Sequence, residues 1–84
     1  MKIFENIINH KINTITGDEL LNYANQFNIS VNRQQAQKIA EYLRGKKVNI
    51  FDNTQRATLV KEIAKVTNAE TAKEVNKLFM QFAK

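Results

Sequence analysis

Arg33, Arg44, Lys46 and Lys47 are the side chains whose type and spacing come closest to a chemistry. With Lys38 they give residues 33–47 five cations against a single carboxylate, Glu41. Guanidinium and ammonium groups gathered at one helix end suit phosphate oxyanions, because each N–H donor brings positive charge to the acceptor. A solvated face accounts for the same residues, since Lys46 and Lys47 would also complement the negative end of a helix dipole. Lys61 with Lys65 and Lys73 with Lys77 are like-charge pairs four residues apart. Each pair costs about 0.2–0.5 kcal/mol in an isolated helix, which Glu62 and Glu74, three residues before Lys65 and Lys77, offset locally. No aromatic is interleaved with the cations as a base-stacking platform would require, because Tyr42 and Phe51 are needed by the core.

Other chemistries find less to work with. General acid–base catalysis needs a titratable group held in a pocket and oriented by a second one. The chain has one histidine, His10, and eight carboxylates, of which Asp18, Glu19, Asp52 and Glu70 fall at helix starts where capping explains them. It has no cysteine, so thiolate chemistry, disulfides and zinc knuckles are excluded. Gly17 and Gly45, the only glycines, make no phosphate-cradling loop. The expectation is a protein that is not an enzyme and needs no cofactor, metal or small-molecule substrate.

The elements that would carry the cations are helices. Zero prolines and 43% apolar residues in 84 favour long uninterrupted helices around one small core. Ile3, Phe4, Ile7, Ile8 and Ile12 share one broad arc, predicting a first helix over 3–12. Lys11 falls inside that arc, either laying its methylene stem on apolar surface or marking, with Phe4 and Ile8, a face left open for a partner. Thr16 and Glu19 make a capping box for a second helix running to about Phe27, with Leu20, Leu21, Tyr23, Ala24 and Phe27 as its buried stripe. Residues 28–31 alternate polar and apolar, which suits an extended connection that tucks Ile29 and Val31 inward. Asn32 and Gln35 start a third helix, on which Ala36, Ile39, Ala40 and Leu43 line one face and Gly45 is the expected stop. Val48, Ile50 and Phe51 would then fold back as an apolar clamp. Asp52 and Asn53 cap a fourth helix over about 54–66, apolar round half its circumference. Thr67 and Glu70 suggest a capping box for a fifth, with Ala72, Val75, Leu78, Phe79 and Phe82 facing inward.

Residues 9–13 (Asn-His-Lys-Ile-Asn), 43–46 (Leu-Arg-Gly-Lys), 49–51 (Asn-Ile-Phe) and 72–79 carry a resemblance across nearly all of the chain. The sequence resembles the YqfT-like proteins, short uncharacterised proteins of spore-forming bacilli. The resemblance implies a cytoplasmic bacterial protein and transfers no activity. Residues 23–30 also look like the first helix and turn of a helix-turn-helix, through Ala24, Asn28 and Ile29. The second half departs from that pattern, because Gln34 and Gln37 stand where the recognition helix should be apolar. A helix, extended loop, helix plan similar to SAP-like nucleic-acid modules fits the spacing better.

These readings combine into one all-α domain over 1–84, a compact orthogonal bundle of four or five short helices. The first functional expectation is a non-catalytic binding or assembly module whose partner is another protein or a second copy, with no membrane contact. The alternative is nucleic-acid binding through Arg33, Arg44, Lys46 and Lys47. No apolar run approaches membrane-spanning length and the first residues lack a signal-peptide core, so the expected location is the cytoplasm.

Overall fold

Local hydrogen bonds at the helix starts set most of the boundaries. The computed structural model describes residues 2–83, and five helices occupy them: α1 (Lys2–Asn13), α2 (Gly17–Gln26), α3 (Arg33–Lys46), α4 (Asn53–Val66) and α5 (Ala69–Gln81). No strand occurs among the described residues. Thr16 Oγ1 accepts from the Glu19 amide while Glu19 Oε1 accepts from the Thr16 amide, completing the capping box of α2. Asn32 and Gln35 repeat that reciprocal pair at α3, and Asp52 accepts from the Gln55 amide to open α4. At α5 the expected box shifts by one residue. Asn68, rather than Thr67, caps it by accepting from the Thr71 amide, because the Thr67 hydroxyl is already donated to the Ile63 carbonyl at the end of α4.

The stop of α3 is corrected too. Gly45 has a helical backbone, and the helix runs through Lys46 to a left-handed cap at Lys47, with φ of 52°. The Lys47 amide donates to the Leu43 carbonyl and closes the last turn. A methyl group added at Gly45 would meet nothing within 4 Å. Gly17 is the closely approached glycine, since a Cβ there would lie 3.1 Å from the Cα of Gln37 where α2 packs on α3, and the neighbouring backbone would have to give.

Around these starts the apolar faces close one core. Ile12, Leu20, Ala24, Ala36, Leu43, Leu59, Ala72, Val75 and Phe79 are fully buried, and Ile29 and Val31 tuck in from the extended connection as the alternation predicts. Phe27, assigned to the buried stripe of α2, is instead 53% exposed. It follows the helix as its C-cap, and Asn28 turns left-handed immediately after it, so the chain leaves the helical wheel there. Helices α2 and α3 form one closely packed pair and α4 and α5 the other, with α1 laid chiefly on α3. The radius of gyration is 11.6 Å, against about 12 Å for a compact chain of this length.

Candidate functional site

The four cations of the sequence reading separate into three places. Arg33 lies at the start of α3, paired with Asp18 across the α2–α3 surface in an exposed ion pair. Eleven residues of helix, about 16 Å, divide it from Arg44. Arg44 Nη2 donates to the Ile15 carbonyl at 3.3 Å, tying the end of α3 to the α1–α2 turn. Lys46 and Lys47 line two different depressions that share Val48. Lys46 lines a shallow groove with Tyr42, Thr54 and Thr58, while Lys47 joins Arg44 on the wall of a separate cleft.

That cleft, about 490 Å³, lies between the second half of α1 and the segment following α3. Asn6, His10 and Thr14 form its α1 side, and Arg44, Lys47 and Asn49 face them. Its ionisable lining residues are His10, Arg44 and Lys47, with no carboxylate among them.

A polar clamp builds its floor. Asn13 Oδ1 accepts from the Val48 amide at 2.9 Å and Asn13 Nδ2 donates to the Val48 carbonyl at 2.7 Å, as a neighbouring strand would. Asn9 Oδ1 accepts from the Ile50 amide at 3.0 Å, and Asn9 Nδ2 donates to Asn49 Oδ1 at 2.8 Å. A carboxamide supplies a donor and an acceptor at each position, which an ionised aspartate could not do. Gln55 Oε1 accepts from the Asn49 amide and Arg56 donates to the Ile50 carbonyl, so the whole segment is held from both sides.

Sequence reading gave His10 no role and did not assign the two asparagines. One signal was available. Asn9 and Asn13 stand four residues apart on the same helix face, where asparagine is a poor helix former, and that spacing marks a side-chain pair with an external role.

The face proposed for a partner is divided as well. Ile8 is 7% exposed and belongs to the core, which removes it from any docking surface. Its register places it over the buried Ile12, one turn on, so it follows that residue inward. Phe4 stays 45% exposed, and the neighbours left open with it are Ile3 at 74% and Ile7 at 61%. Lys11 is exposed, with its Nζ 5.4 Å from the centre of the Phe82 ring, and that ring meets Tyr23 edge-on at 5.1 Å. Its charge therefore rests on the aromatic edge of the core in a cation–π contact.

Several carboxylates are engaged structurally. Asp18 pairs Arg33, Glu19 and Asp52 cap helices, and Glu62 accepts from Lys65 at 2.9 Å, raising the pKa of that ammonium by hydrogen bond and charge. None of the helices among the described residues is long and apolar enough to cross a membrane.

Comparison with known proteins adds a family without a mechanism. A family profile described as "Protein of unknown function (DUF2624)" matches residues 1–83. The uncharacterized protein YqfT of Bacillus subtilis (strain 168) is 45% identical over 82 residues, covering 98% of each chain. No solved structure matches.

Proposed function

The chain belongs to the DUF2624 family, and from that premise we propose that it is a non-catalytic module of the cytoplasm that docks another protein through the outer face of α1. The observation carrying this reading is the open trio Ile3, Phe4 and Ile7, with Ile3 and Ile7 one turn apart. Three large apolar side chains on one helical turn are the pattern by which a helix enters a groove on a partner. A formal charge of +5 on every copy opposes self-association at low salt and favours an acidic partner over a second copy. The structural engagement of Asp18, Glu19, Asp52 and Glu62 supports a role without acid–base catalysis.

A photo-crosslinking residue placed at position 7 tests the proposal, with the exposed Ala57 of α4 as its control position. Crosslinking in the native cells should give one discrete heavier species at position 7 that disappears when Ile3→Ser is added. A species at twice the chain mass would replace the acidic partner with a second copy. Unshifted monomer at both positions would overturn docking through α1.

A second reading, contact with nucleic acid at the end of α3, is favoured by one observation of its own. Arg44 and Lys47 line the same cleft, and a histidine faces them across it.

A further inference from the structure

We propose that the cleft between α1 and the segment after α3 is a phosphate-binding site for single-stranded nucleic acid, in which His10, Arg44 and Lys47 contact the strand. The proposal rests on the second reading above and gives it a site that differs from the cluster expected in the sequence. Arg33 is excluded by distance and by its pairing with Asp18, and His10 is added from another helix.

Three observations converge on the cleft. Its ionisable lining is entirely basic, contributed by α1, α3 and the cap of α3, so a bound anion would be approached from two sides. Arg44 spends one N–H donor on the Ile15 carbonyl, which fixes its side chain and leaves donors on the same guanidinium for a ligand. Asn49 accepts at Oδ1 from both Asn9 and Phe51, so that its Nδ2 group retains donor capacity on the wall.

The backbone of Lys47 adds an independent point. A left-handed residue at a helix end is usually glycine, sometimes asparagine, because a Cβ crowds the backbone there. Here the position carries a lysine whose side chain lines the basic cleft. Strain kept at one residue that also faces a candidate site is the pattern expected when the side chain is used.

The ligand class follows from the extent of the charge. Lys46 lines a second groove that shares Val48 with the cleft, so positive surface continues outside the cleft itself, which suits a polymer better than a lone anion. A concave volume of about 490 Å³ admits a strand whose bases are unstacked, whereas a duplex would meet only the rim.

The experiment is fluorescence anisotropy of the full chain with a short labelled single strand at about 50 and 200 mM salt, repeated with a duplex and with a mononucleotide as competitor. Wild type should bind the single strand in low salt and release it as salt rises. Lys47→Gly should keep or raise the melting temperature, by relieving the left-handed strain, while lowering the log–log salt slope by about 0.7, one single-strand phosphate contact. His10→Gln should weaken binding in the same direction. Lys61→Gln removes the same unit charge from the surface of α4 and should leave the slope unchanged. Equal losses from Lys47→Gly and Lys61→Gln, or binding indifferent to Lys47→Gly, would overturn the site while leaving nucleic-acid binding standing. Duplex preference, or full displacement by the mononucleotide at equal phosphate concentration, would overturn the ligand class. Absence of binding to every probe would overturn both the site and the reading beneath it.

Discussion

Helix α5 sends Ala72, Val75, Leu78 and Phe79 into the core, none more than 3% exposed, whereas α1, with five large apolar residues on one arc, buries only Ile8 and Ile12. The two patterns look alike on a helical wheel. Their neighbours differ: α5 packs along α4 and also meets α2, while α1 lies chiefly on α3. Where apolar cover is short, α1 gains its hold from hydrogen bonds, with Asn9 and Asn13 gripping the backbone at 48 and 50. Periodicity thus says which face of a helix is apolar, and the surrounding elements decide how much of that face is covered.

The largest expected effect tests the α5 side of this contrast. Phe79 is fully buried, and Phe79→Ala should cost about 3–5 kcal/mol, read as a lowered urea midpoint with an unchanged slope. A midpoint near wild type would mean that α5 is no better anchored than α1.

Next in size is the polar grip on α1. Asn13→Ala removes the partners of both the N–H and the C=O of Val48, and leaving such groups unpaired costs about 1–3 kcal/mol. Faster amide exchange at Val48 and Ile50, with no preferential change in α5, should accompany the loss. Uniform acceleration across all five helices would show that the clamp serves the whole fold rather than α1.

The glycines probe the two faces of α3, one against α2 and one leading to the segment that α1 holds. Gly45→Ala should stabilise by about 0.5–1 kcal/mol, because the position is helical and open, and alanine is the better helix former. Gly17→Ala should destabilise, since its methyl group would press on the backbone of Gln37. Thermal melting of the two variants should therefore move in opposite directions, and a shared direction would contradict the α2–α3 geometry.

The smallest effect belongs to the outer face of α1. Ile3→Ser should change stability by no more than about 0.5 kcal/mol, as expected for a surface position, while abolishing the crosslink formed from position 7. A destabilisation on the scale of Phe79→Ala would show that α1 is covered as α5 is, and would remove the docking surface.

The amino-acid sequence by itself determined the all-α class, the capped starts of α2, α3 and α4 and most of the core, because capping bonds and apolar periodicity act within a few residues of chain. Thr16 with Glu19, Asn32 with Gln35, and the inward turn of Ile29 and Val31 are local facts of that kind. Tertiary structure alone decided that Gly17 and not Gly45 is the closely approached glycine, since close approach of another helix leaves no trace in a residue's own neighbourhood. The cleft is likewise a product of folding. His10 and Arg44 are separated in the chain by the whole of α2 and line one cleft because Asn9 and Asn13 hold the segment after α3 against α1, while Arg33, nearer to Arg44 in sequence, is carried away by the rise of the helix that joins them.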